Sequence, residues 1–258
     1  MFKLIGFALG FWIGGFFVAL LGLMLGALVD RVRALGTGAV NPLKNALRQA
    51  VFLETAFSLM GMLAKADGRI SQEEVDHAER FMQQLGMTTE HRQQAIALFK
   101  RGAAPDFELE PALSKFNAVC GHTRDLKQML LVYLIVMAHA DGHYHPEEEA
   151  LLTRVAGRLG YGPQAFKQLL EMVLNQTHFG AGQVNSEHAL ADAYKALGVP
   201  AESSDQELKR AYRKLMSQYH PDKLTGQGMP EDMIKLATEQ TKDIQLAYDL
   251  IKRSRNLP

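Results

Sequence analysis

Tyr219-His220-Pro221-Asp222-Lys223 is preceded by a run whose apolar residues recur with a helical period. Leu208, Ala211, Tyr212, Leu215 and Tyr219 fall at i, i+3, i+4, i+7 and i+11, which predicts one buried stripe. Lys209, Arg210, Arg213 and Lys214 stand on the opposite face of the same helix. Ser204 with Glu207 three residues on has the pattern of a capping box that opens it. Pro221 is expected to end it, because proline lacks a backbone donor and drives the preceding residue out of the α region. Downstream, Ala237, Ile244, Ala247, Tyr248 and Ile251 again keep helical spacing. The pattern predicts two antiparallel helices joined by a loop that begins with His-Pro-Asp. Such a loop would hold the Asp222 carboxylate out on a stiff support, suited to a two-pronged pair with an arginine. Four cations on one helix would steer encounter with an acidic surface. Each feature alone has a plain reading, a helix stop and a solvated face. All of them in register favour a docking surface.

This arrangement resembles the J domain of Hsp70 co-chaperones, the DnaJ family, over about Ala189 to Arg253. The resemblance includes a short first helix marked by Leu190, Tyr194 and Leu197, then Leu197-Gly198-Val199, the basic second helix, and Ile244-Gln245-Leu246-Ala247-Tyr248 in the third. It implies a partner, a DnaK-type Hsp70 whose ATPase the domain would stimulate, and no catalytic residue of its own. Carried over by position, the Hsp70-binding residues would be His220, Pro221 and Asp222, with Lys209, Arg210, Arg213 and Lys214 as the positive face. No cofactor is implied.

Composition sets outer bounds. The chain has 258 residues and a formal net charge of zero, so no global field argues for nucleic acid as a partner. Its single cysteine, Cys120, excludes an internal disulfide and a cysteine-based zinc site, and it fits a reducing compartment. Cys120 reads as a small core residue rather than a nucleophile. No stretch alternates as a strand would, so the expected fold class is all-α.

Leu4 to Val29 carries no charge and no Ser, Thr, Asn or Gln. At about 1.5 Å per residue it is longer than the roughly 30 Å hydrocarbon core of a bilayer, which predicts a transmembrane helix. A signal peptide is disfavoured by the length of the apolar run and the absence of an Ala-x-Ala site. Only Lys3 precedes the span, whereas Arg31, Arg33, Lys44 and Arg48 follow it. The positive-inside rule then expects residues 1–3 in the periplasm and the C-terminal bulk in the cytoplasm of a bacterial cell, with the helix in the inner membrane. Gly6, Gly10, Gly14, Gly22 and Gly26 share a four-residue repeat, the small-residue spacing that lets two spans approach and form a homodimer.

The middle of the chain repeats itself. Ala64-Lys65-Ala66-Asp67-Gly68-Arg69-Ile70-Ser71-Gln72-Glu73-Glu74 recurs as Ala138-His139-Ala140-Asp141-Gly142-His143-Tyr144-His145-Pro146-Glu147-Glu148. Leu85-Gly86 recurs as Leu159-Gly160 at the same offset. Each copy predicts an apolar helix, an Asp-Gly turn and a second helix, with Ser71 and Glu74 as a capping box, Pro146 at a first helical position and the two glycines as C-caps. This duplicated unit resembles the TerB-like helical domain. His139, Asp141, His143 and His145 alternate in the second turn and could hold a divalent ion. The first copy lacks those histidines and the spacing misses a calcium loop, so turn geometry explains the shared Asp-Gly and no metal site is expected.

The expected organisation is a span at 4–29, a linker and juxtamembrane segment at 30–49, the TerB-like domain at 50–175, a linker at 176–187 and the J domain at 188–258. The order as a whole resembles membrane-anchored DnaJ-like co-chaperones. That resemblance implies a regulatory role in envelope signalling, including capsule polysaccharide synthesis through a two-component phosphorelay. The alternative is a membrane-associated ligand or metal sensor with the J domain as its output.

Overall fold

The computed structural model describes residues 42–66, 72–139, 145–180 and 189–256. Every regular element among them is a helix, so the all-α expectation holds. In chain order these are α1 (Pro42–Ala64), α2 (Gln72–Gln84), α3 (Thr89–Gly102), α4 (Leu109–Cys120), α5 (Arg124–Ala138) and α6 (Pro146–Arg158). They are followed by α7 (Pro163–Gly180), α8 (Ala189–Ala196), α9 (Asp205–Gln218), α10 (Pro221–Gln227) and α11 (Glu231–Ser254). Among the described residues no helix is long and apolar enough to cross a membrane. The predicted span, with Gly6, Gly10, Gly14, Gly22 and Gly26, lies outside them.

The chain folds around α5. Its run Leu130-Leu131-Val132-Tyr133-Leu134-Ile135 is buried on every side, as a helix apolar all round must be. Each such Leu or Ile contributes about 1.5–3 kcal/mol relative to an exposed one. Helices α2, α6 and α7 pack against it. Tyr133 meets Phe52 of α1 and Phe81 of α2 edge-on, with ring centroids 6.2 and 6.1 Å apart, and Phe52 in turn meets Phe116 of α4 at 6.0 Å.

The duplication is visible in the element bounds. Helices α1 and α5 end at equivalent alanines, Ala64 and Ala138, and α2 and α6 start at equivalent positions, as do α3 and α7. The repeated unit therefore has three helices where two were expected, and α4 is inserted between the copies. Gly86 and Gly160 follow α2 and α6 with φ of +74° and +90°. One crossing depends on glycine for another reason. A Cβ on Gly61 of α1 would sit 1.9 Å from the Phe99 carbonyl oxygen, and one on Gly102 of α3 1.7 Å from that of Ser58. These two helices touch backbone to backbone, and any side chain at either position would push them apart.

At the C-terminus, α9 and α11 pack through the predicted stripes. Leu208, Leu215, Tyr219, Ala237, Ile244, Ala247 and Ile251 are all buried. Tyr212 stacks on Tyr248 with centroids 4.1 Å apart and an interplanar angle of 11°. Arg255, just past α11, donates to Tyr194 Oη (2.7 Å), Ser203 O (2.7 Å), Asp205 Oδ1 (2.8 Å) and Ala201 O (2.8 Å), tying α8 and the start of α9 to the end of the chain. The short helix α8 buries Ala189, Ala193, Tyr194 and Ala196, while Leu190 is 38% exposed and lies off the packed face.

One expectation is corrected here. The connection from α9 to α11 is not an open loop, since Pro221 starts a helix of its own, α10. Proline stops a helix that reaches it, but its fixed φ suits the first position of the next. The C-terminal helices are docked on the middle ones, a point the sequence leaves open. Helix α11 packs against α7 as well as α8, and α10 packs against α5. The middle and C-terminal helices share one continuous hydrophobic core.

Candidate functional site

His220 is the N-cap of α10, with φ −62° and ψ 123°. Its Nδ1 accepts the Asp222 backbone N–H at 3.2 Å, which satisfies one of the donors a helix start leaves open. Pro221 occupies the first helical position and Asp222 lies in the first turn, where a carboxylate is favoured by the helix dipole. Leu224 is fully buried and pins α10 from below. On the other side of the motif Tyr219 is fully buried as well. Burial pushes its hydroxyl up to about 12, against the influence of Gln128 and with that of Tyr161, so it stays a neutral anchor. His220 and Asp222 themselves are exposed. The tripeptide is thus fixed at both ends by buried side chains while its polar groups face solvent.

Helix α9 carries the cations. The capping box forms as expected: Ser204 N–H donates to Glu207 Oε2 (2.9 Å), and Glu207 N–H donates to Ser204 Oγ (3.3 Å). Lys209, Arg210, Arg213 and Lys214 are all exposed on the face opposite Leu208 and Leu215. None of the ion pairs between described residues involves any of the four. The face therefore keeps its charge available for a partner.

The reverse side of the motif is occupied. Lys223 Nζ pairs with Asp125 Oδ2 of α5 at 2.8 Å, and Gln227 Nε2 donates to the same oxygen at 2.8 Å. The Tyr133 hydroxyl donates to the Met233 carbonyl of α11, and His91 of α3 pairs with Asp232. Gln176 of α7 donates to Ala196 O at 2.8 Å. Gly228, with φ +92°, comes so close to α1 that an added Cβ would lie 2.9 Å from Arg48 Cβ. These contacts hold α10 and α11 in one orientation, with His220, Asp222 and the basic face turned to solvent.

Sequence reasoning did not identify Asp125, Gln227, Met233 or Gly228 as interface residues. Only the position of Gly228, just after a short amphipathic segment, carried a signal for its C-cap role. Of the residues weighed for a metal, His139 caps the end of α5 and His145 the start of α6, whereas Asp141 and His143 lie outside the described residues. Ser71 and Glu74, the capping box expected in the first copy, also fall where side chains are not described. Cys120 is fully buried at the end of α4, and burial pushes its thiol up to about 11, consistent with a packing role.

Three family models match the chain: the transmembrane domain of the co-chaperone DjlA over residues 1–43, the tellurite resistance protein TerB over residues 53–171, and the DnaJ domain over residues 192–256. The chain is similar to the co-chaperone protein DjlA of Haemophilus influenzae, with 35% identity over 98% of this chain and 97% of that one. It is 37% identical to the DjlA of Vibrio cholerae over 99% and 98% of the two chains. It is 40% identical to that of Shewanella oneidensis over 81% and 80%. No solved structure matches the chain.

Proposed function

The chain belongs to the DjlA family of co-chaperones, and from that premise we propose that it stimulates ATP hydrolysis by a DnaK-type Hsp70 through His220, Pro221 and Asp222. Lys209, Arg210, Arg213 and Lys214 would engage the ATPase domain of that partner by charge. The carrying observation is the two-sidedness of the motif: Lys223 and Gln227 are spent on Asp125, while His220 and Asp222 are exposed and firmly held. A carboxylate carried on a backbone fixed by its N-cap bond loses less conformational freedom on pairing with an arginine than one on a loose loop, which favours productive docking.

The match of residues 1–43 to a transmembrane-domain family supports a membrane anchor. On that anchor we read a periplasmic N-terminus, a cytoplasmic bulk and a homodimer formed through Gly6, Gly10, Gly14, Gly22 and Gly26. The proposed setting is envelope signalling, with capsule polysaccharide synthesis through a two-component phosphorelay as its furthest extension; that step rests on family analogy.

The test is single-turnover ATP hydrolysis by a DnaK-type Hsp70, with the full chain in lipid nanodiscs. His220→Gln should abolish stimulation while leaving the helical circular dichroism in place, with a fall of at most a few degrees in melting temperature from the lost N-cap bond. Equal stimulation by both proteins would remove the assignment.

A further inference from the structure

A cleft of about 550 Å³ lies between the middle helices and α9, within the size range of ligand pockets. Arg124 and Lys127 of α5 line it from one side and Lys214 of α9 from the other, with His122 at the corner before α5. Among the described residues no aspartate or glutamate lines it. The neighbouring carboxylate in sequence, Asp125, is engaged by Lys223 and Gln227 instead. None of Arg124, Lys127 and Lys214 joins an ion pair with a described residue. The cleft therefore brings together three positive charges with no counter-charge among the described residues that line it. Its floor is apolar, with Leu169, Met172 and Leu215 among the lining side chains. An occupant that satisfies both must bring carboxylates together with an apolar anchor.

Lys214 belongs at once to this cleft and to the exposed basic face of α9. A partner that docks on Lys209, Arg210 and Arg213 therefore reaches the cleft without leaving the surface. We propose that the cleft seats an acidic segment of the Hsp70 partner, with Arg124 and Lys127 of the middle domain extending the docking surface that begins on the J domain. The inference rests on the Hsp70 reading above. It gives the middle domain a direct part in recognition, one that an isolated J domain would lack. The floor takes an apolar side chain of the segment, and the three cations flank its carboxylates.

The experiment titrates the full chain in nanodiscs into a DnaK-type Hsp70 and records the concentration for half-maximal ATPase stimulation. Arg124→Glu with Lys127→Glu should raise that concentration about tenfold or more and flatten its dependence on salt, as loss of interfacial charge pairs does. The maximal stimulation should stay unchanged, because His220 and Asp222 are intact. The neutral pair Arg124→Gln with Lys127→Gln should give a smaller shift, and Arg124→Lys with Lys127→Arg should restore the unaltered value. Glutamate at position 124 is compatible with a helix start, and the neutral pair keeps the test valid should the reversed pair melt early. A half-maximal concentration unchanged in every variant overturns the inference and leaves the Hsp70 reading standing. So does a pattern in which those variants lose only a melting shift induced by inorganic phosphate, which would mark a small-anion site. No stimulation by the unaltered chain would instead overturn the Hsp70 reading and this inference with it.

Discussion

Tyr133 joins the two halves of the folded region through one side chain. Its ring is fully buried among Phe52 and Phe81, and its hydroxyl donates to the Met233 carbonyl of α11. Burial holds the phenol pKa well above its usual value, Glu239 adding to the effect, so the group remains a donor at any physiological pH. Tyr133→Phe keeps the ring and removes the donor from a buried site, which costs about 1–2 kcal/mol. For a chain of this size we expect a fall of about 2–4 °C in melting temperature per kcal/mol, read by calorimetry; an unchanged melting curve would mean that the hydroxyl adds nothing to docking. Asp243 of α11 makes the opposite case. It is buried, and desolvation, with Glu239 adding and Lys242 opposing, raises its pKa from 3.8 to about 6. The folded state then holds the proton more tightly than the unfolded state between those values. Stability is therefore highest below about pH 4 for this group and is lost as pH rises through about 6. Asp243→Asn should stabilise the protein at pH 8 by on the order of 1–3 kcal/mol, and the gain should vanish near pH 4 in urea titrations.

Among the elements, α10 shows both the reach and the edge of sequence reasoning. Its buried Leu224, its N-cap and its proline are local features, yet after so clear a helix the sequence presents Pro221 as a stop. The same residue type both ends and begins helices, and only the chain that follows decides. Helix α9 was legible to its capping box, and α11 to its stripe, because one apolar face against one polar face is a strong periodic signal. From Met129 onward helix α5 carries no such contrast: apolar all round there, it indicates burial but not what surrounds it. The Gly61–Gly102 crossing was illegible for a different reason, since close approach of two backbones depends on a partner distant in sequence. The proposed docking residues His220 and Asp222 could be picked out from sequence, but the cleft at Arg124 and Lys127 could not, because it exists only where α5 meets α9. Gly228 tests the seam between these elements. Alanine there would take φ +92° and press on Arg48 Cβ at 2.9 Å, so strain and contact act together. Gly228→Ala should speed hydrogen exchange of the α10 amides while leaving α5 protected; equal protection in α10 would mean that the seam tolerates a side chain.

At the scale of the whole molecule the arrangement is that of a presented J domain. A shared core and contacts at Asp125, Tyr133, Gln176 and Arg48 fix the orientation of α9 and α10 relative to the middle helices. Orientation toward a membrane would then be set by the N-terminal segment, which matches the DjlA transmembrane domain. If Gly6, Gly10 and Gly14 pair two spans, each dimer would present two docking surfaces from one patch of membrane, and a partner leaving one would meet the other at high effective concentration. Replacing Gly10 and Gly14 by Leu should block close approach of the helices, so crosslinking yield in membranes should fall severalfold. Because the J-domain surface is built entirely within the C-terminal helices, stimulation per chain at saturating Hsp70 should stay the same. The half-maximal concentration should rise only when the protein is held in a bilayer, and not in detergent. An unaffected crosslinking yield would exclude the glycine face as the contact. A loss of stimulation per chain in detergent would show instead that pairing of the spans acts on the J domain itself.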